Sequence, residues 1–225
     1  MKHLTICLLV AATTLGAADK KNKNRLEDAA SVFEEIMSMK DKSIPQDLLD
    51  RSACTVVVPG MKKGGFILAA KYGKGYITCR NKSGTGWSAP GAVRVEGGSV
   101  GFQIGGSETD IVLLVMNEKG AEKLLSSKFT LGGEGSVAAG PVGRDSSAQT
   151  DAQMRAEILS YSRSRGVFAG ISLTGSTLRQ DLDDNEEVYG KRLENREIVL
   201  GTMEPPTSAK RLISLLNKYS PRKNK

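Results

Sequence analysis

The tract GGSVG at residues 97–101 fits the G-x-S-x-G pattern in which serine hydrolases carry their nucleophile. A serine attacks only when a nearby base, usually histidine, takes its proton. The chain has one histidine, His3, and it lies in a stretch that reads as a removable leader. A nucleophile elbow also needs a helix directly after the serine, whereas Gly105 and Gly106 follow within a few residues. Ser99 is therefore not expected to be a nucleophile, with a serine–lysine arrangement left open. Gly133-x-Gly135-x-x-Ala138 imitates a dinucleotide fingerprint, but Gly140 and Pro141 would break the helix that such a fingerprint opens. The acidic run DLDDN at 181–185 lacks the loop glycine and distal glutamate of a calcium-binding loop and reads as a solvated acidic turn. Outside the leader, Cys54 and Cys79 are the only cysteines. They are either a disulfide pair or two separate buried thiols, and without histidine they fall short of the four ligands of a structural zinc site. Neither metal nor cofactor is expected, and the chemistry left to the chain is that of charge.

That charge is unevenly placed. The 225 residues carry a net charge of +7. Residues 19–25 contribute +3 and residues 209–225 contribute +6, while residues 26–208 sum to −3. Basic ends favour anionic surfaces, whether lipid or acidic protein, although solvated tails that aid solubility have the same composition. Residues 1–18 have the lysine, apolar run and small-residue cleavage site of a secretory signal peptide, so export to a periplasm or beyond is expected, the alternative being a buried N-terminal helix. An exported chain has little occasion to meet nucleic acid.

The elements that would position these residues follow from periodicity. Leu26, Ala29, Ala30, Phe33, Ile36 and Met37 share one helical face over 26–39, behind a basic linker from residue 19, and a short helical turn covers 46–50. From Cys54 the pattern turns to strands: TVVVP, GFILAAKY and GYITCR, with a turn at 71–74, then 93–95, 100–104 and 111–116. Residues 117–126 read as a helix, with Asn117 either its cap or an ordinary turn residue. Residues 154–174 read as two extended segments, with helix left open before Tyr161. After Pro205 and Pro206, Ser208 caps a last helix with Leu212, Ile213, Leu215, Leu216 and Tyr219 on one face and Lys210, Arg211 and Lys218 beside it. That helix lies either on a membrane surface or on the protein's own core. The glycines are expected to let strands bend and approach closely. The fold class expected is α+β: a bent, glycine-rich antiparallel sheet, barrel-like, with flanking helices.

The blocks GWSAPGAV (86–93), GGSVGFQIGGSETDIVLLV (97–115), SVAAGPVGR (136–144), YSRSRGVFAGISLTG (161–175) and NEEVYG (185–190) occur in an order that resembles the SYLF domain family. The resemblance covers residues 50–190, with an extension over 191–225. It implies a binding module without catalysis, since eukaryotic members are associated with phosphoinositides and actin filaments and exported bacterial homologues exist. The expected function is recognition of anionic phospholipid headgroups. The alternative is a protein-interaction or envelope scaffold module that engages an acidic or cytoskeleton-like partner. No residue map comes with the resemblance, so headgroup candidates rest on physical argument: Lys62 and Lys63 in a loop, Arg144 after the GPVG turn, and Arg163 and Arg165 on one side of an extended SRSR. Trp87 reads as a core aromatic.

Overall fold

The computed structural model describes residues 11–39, 43–65, 68–83, 85–100, 105–143, 155–164, 167–168 and 173–221. Helix α1 (Ala11–Ser38) and helix α2 (Gln46–Arg51) precede four long strands: β1 (Cys54–Gly65), β2 (Leu68–Cys79), β3 (Gly91–Val100) and β4 (Gly105–Val115). Helix α3 (Glu118–Leu124) leads to β5 (Lys128–Thr130), β6 (Val137–Ala139), β7 (Ile158–Ser164), β8 (Val167–Phe168) and β9 (Thr177–Gln180). Helices α4 (Leu182–Tyr189), α5 (Asn195–Leu200) and α6 (Lys210–Tyr219) complete the chain.

Among the described residues the strands form one sheet in the order β5-β9-β3-β2-β1-β4-β7-β6, with β8 also on β7, curled into a half-barrel. All pairings are antiparallel except β6 with β7, which is parallel, so the sheet is mixed rather than purely antiparallel. The α+β class holds.

The continuous apolar runs of β1 and β4 have a simple cause: both faces of these strands are buried. On the helix face, Val57, Tyr76, Val112, Leu114 and Tyr161 pack against Leu26, Phe33 and Ile36 of α1, Leu48 and Leu49 of α2, and Leu212 and Leu216 of α6. On the inner face, Val56, Val58, Ile77, Val93, Ile111 and Leu113 enclose Phe129, Leu131, Leu178 and Ile198. Segments before residue 50 and after residue 190 thus share the core of the sheet. Of the stretch read as a leader, residues 1–10 lie outside the described residues, while residues 11–18 and the expected linker over 19–25 belong to the continuous helix α1.

The stretch at 71–74 is not a turn, because β2 runs through it. Its glycines serve the neighbouring strand. β1 carries a bulge between Val58 and Met61, where Gly60 adopts φ 56°. That bulge presses on β2: a Cβ on Gly73 would lie 2.8 Å from Val58, and one on Gly75 would lie 2.0 Å from the Val57 carbonyl oxygen. Among the glycines of 97–106, Gly97 is held to the same rule by Ser176, whereas Gly98 has open space and a Cβ on Gly106 would make only an ordinary contact with the Lys63 carbonyl oxygen at 3.9 Å. Gly101 lies outside the described residues.

Two further expectations change. Asp181–Asn185 is not a solvated loop: Asp181 caps α4 by accepting from the Asp184 amide at 3.3 Å, and Asp181, Asp184 and Asn185 are buried. Acids in a first turn suit the positive end of a helix. Ser208 does not cap the last helix, which grows instead from a 3-10 turn over Thr207–Ala209. Asn117 does cap α3, accepting from the Gly120 amide at 2.7 Å. Cys54 and Cys79 are opposed partners on β1 and β2, joined by a disulfide. Trp87 is buried beneath the Arg80 guanidinium, 4.0 Å from the ring centroid.

A candidate docking groove between the first helix and the sheet

An open groove of about 1300 Å³ runs between α1 and the ends of β1, β4 and β7. Pairing of β4 with β7 sets Asp110 opposite Arg163, and the guanidinium donates to Asp110 at 2.7 Å. A second arm of the same guanidinium meets Glu35 of α1 at 2.5 Å. Asp110 also accepts from the Gly60 amide at 3.0 Å, which ties the β1 bulge to this cluster. Burial alone would make Arg163 easier to deprotonate, but its hydrogen bonds to Asp110 and Glu35 outweigh that and raise its pKa. Arg163 is therefore a fixed cation shared by two carboxylates. Lys62 is exposed on the groove wall, opposite Tyr72 on β2 and Glu108 on β4. Asp28 and Arg25 of α1 complete the charged lining.

Beneath the groove, the Arg25 guanidinium donates to the buried Asp184 of α4. Lys74 of β2 reaches Asp181 and Asp184, each at 2.8 Å. Burial would lower the Lys74 pKa, but these hydrogen bonds dominate and raise it. Burial raises the pKa of the neighbouring Tyr76 phenol against the pull of Arg25, so it stays protonated. This network joins α1, the sheet and α4.

Of the five nominated bases, the structure brings Lys62 and Arg163 to the groove. Lys63 points to the opposite face, in register with Lys71. Arg144 and Arg165 lie outside the described residues. The membrane-surface expectation for the last helix gives way to its alternative: Leu212, Leu215 and Leu216 are buried against α1. Arg211 is drawn the same way, to Glu34 at 2.7 Å and Glu27 at 3.2 Å. Lys210 and Lys218 remain exposed. Ser99 belongs to the pairing of β3 with β2, opposite Ala69, and the strand ends one residue later at Val100.

Sequence reading missed the acids of this groove. Glu35 reads as solvent-facing helix, and Asp110 sits before an apolar run without local pattern. Asp110 meets Arg163 through the pairing of β4 with β7, and Glu35 meets it through the packing of α1 on the sheet.

The comparisons with known proteins agree with the motif blocks. The profile of the family described as Ysc84, Las17-binding protein actin regulator, matches residues 96–219. The SH3 domain-containing YSC84-like protein 1 of Xenopus laevis is 32% identical over 205 residues, covering 88% of this chain and 61% of that protein. The LAS seventeen-binding protein 3 of Saccharomyces cerevisiae is 36% identical over 180 residues, covering 78% and 39%. An SH3 domain-containing protein of Schizosaccharomyces pombe is 34% identical over 203 residues, covering 87% and 47%. The chain thus spans less than two thirds of each of these relatives, of which the Saccharomyces cerevisiae protein is named for binding and the other two for an SH3 domain. With the matched profile covering more than half of its length, the chain belongs to the Ysc84 family of Las17-binding protein actin regulators.

Proposed function

We propose that this chain is a non-catalytic interaction module that docks a protein of the actin cytoskeleton type through the groove between α1 and the sheet. One observation carries this reading: the groove walls bear fixed charges of both signs, with Arg163 held between Asp110 and Glu35 and Lys62 standing free to solvent beside Glu108. Alternating charge on an open surface complements another polar protein face and sets its register. It is a poor receptacle for an apolar small molecule. The family description, which names actin regulation, supports the choice of partner. Co-sedimentation with actin filaments tests it. The full chain should pellet with filaments, and the exposed charge reversals Lys62→Glu and Glu108→Lys should each weaken binding about tenfold. Filament binding indifferent to both reversals would remove the groove from the account.

A second reading, recognition of anionic phospholipid, rests on the basic ends. Residues 209–225 hold six bases and no acid, and Lys210 and Lys218 are exposed. Because the leucines of α6 face the core, attachment of this kind would be electrostatic, without insertion, and salt would abolish it. Vesicles included in the same sedimentation series separate the two partners. With this second reading, and not with the first, we propose that the chain is exported and so kept apart from cytoplasmic actin, a reading supported by the leader-like residues 1–18 and by a disulfide of the kind that persists in oxidising compartments. Intact mass should show a mature chain starting at Asp19 with both thiols oxidised. A full-length mass with free thiols would exclude export by this route.

A further inference from the structure

Cys54 opens β1 and Cys79 closes β2, so their disulfide sits at the end rung of that strand pair. Both half-cystines line an open cleft of about 550 Å³ that α3 and α5 complete. The strand pair does not depend on this bond for its register. On one side Thr55 opposes Thr78, and on the other the Arg80 amide donates to the Ala53 carbonyl at 2.8 Å. The Ala53 amide donates in turn to the Val115 carbonyl at 2.7 Å. The Arg80 guanidinium adds bonds to the Leu49 carbonyl at 3.1 Å and the Ser220 carbonyl at 2.8 Å. Opening the disulfide leaves all of these hydrogen bonds in place.

The charges around the disulfide are uncommitted. Arg51 of α2, Lys82 after β2 and Arg196 of α5 line the cleft and are exposed. None of the three makes a side-chain hydrogen bond or ion pair among the described residues. From α3, Glu118 and Glu122 stand one turn apart on one face, also exposed and without an ion pair among the described residues. Arg163 in the groove differs, being held by two acids. A visitor that satisfies both signs here carries more carboxylate than ammonium. Cys54 and Cys79 are only 1% and 3% exposed, so a reagent meets them by way of the cleft. The group that attacks a disulfide is a thiolate. Cations beside an approaching thiol lower its pKa and raise its thiolate fraction.

We propose that this cleft receives a small peptide thiol bearing two carboxylates and one ammonium, and that the Cys54–Cys79 disulfide exchanges with it. Arg51, Lys82 and Arg196 take the carboxylates, and the acids of α3 take the ammonium. The incoming thiolate bonds to one cysteine Sγ and the Cys54–Cys79 bond breaks. Its electron pair leaves on the other sulfur, which takes up the proton that the thiol gave away. A second thiol repeats the attack on the mixed disulfide. Two thiols thus become one small disulfide, and the protein gains two electrons and two protons as a pair of cysteines. The cleft shares no lining residue with the groove, so its failure and that of the docking reading are separable.

The test mixes the oxidised full chain at low ionic strength with reduced glutathione or with its diethyl ester, which keeps the thiol and loses both negative charges. Loss of the disulfide is followed by mass after alkylation. Each rate is divided by that of the same thiol on hydroxyethyl disulfide, which removes differences in thiol reactivity. Glutathione should be favoured over the ester about tenfold. The exposed charge reversals Lys82→Glu and Arg196→Glu should each remove most of that preference, while Lys210→Gln, outside the cleft, keeps it. A glutathione adduct should map to Cys54 or Cys79. Equal normalised rates for acid and ester, or a preference indifferent to both reversals, overturns the proposal. So does a disulfide that opens only once urea has unfolded the chain.

Discussion

Deleting residues 207–225 should abolish cooperative unfolding. The deletion removes Leu212, Leu215 and Leu216, all buried, and uncovers Phe33, which packs edge-on against Tyr219 at 6.2 Å. A single buried Leu→Ala costs about 2–5 kcal/mol. Three together approach or exceed the whole net stability of an ordinary domain, roughly 5–15 kcal/mol. The cut also removes acceptors of the buried Arg80, whose guanidinium donates to the Ser220 carbonyl at 2.8 Å and to the Ser220 hydroxyl. Urea titration followed by Trp87 fluorescence and circular dichroism reads the outcome, and the milder Leu216→Ala should cost about 3 kcal/mol. A truncated chain that unfolds in one sharp step at the original midpoint would show that α6 is an appendage after all.

Asp184→Ala should be nearly as damaging by a different route. Asp184 is 5% exposed and accepts from both Arg25 and Lys74, whose side chains are 13% and 25% exposed. Removing one member of a buried ion network leaves charge behind without its compensation, typically costing about 3–5 kcal/mol. Asp181 stays in place for Lys74, so the damage should concentrate on the attachment of α1 through Arg25. The contrast lies one residue away. Asp183 meets Arg192 on the surface, with side chains 71% and 56% exposed, and Asp183→Ala should leave the urea midpoint where it was. Equal effects of the two substitutions would mean that the network at Asp184 contributes nothing special.

How much of this was legible follows from the kind of signal each feature leaves. The face of α1, the Asn117 cap and the buried strands around 55–58 and 111–115 announce themselves through spacing, and the structure has them there. The Lys-Tyr-Gly-Lys stretch misleads because glycine marks turns and close approaches alike. Only the β1 bulge, which lies in another strand, decides between them. The run at 181–185 misleads because acids normally seek water, while the cations that hold Asp184 come from positions 25 and 74. Periodicity shows that α6 has an apolar face but not what covers it. The candidate sites were visible as bases and hidden as sites: Arg163 was singled out, yet its carboxylate partners come from a helix and a strand far away in sequence.

The contact of α1 with α6 has a consequence for synthesis. These helices are among the first and last pieces of the described chain to be made, and each is the other's cover. Throughout elongation the stripe of Leu26, Phe33 and Ile36 must wait for its C-terminal counterpart, bare or borrowed by another surface. The nascent chain therefore carries a greasy, unsatisfied helix until translation is almost over, which makes this a protein suited to escort by a holding factor while it is being built.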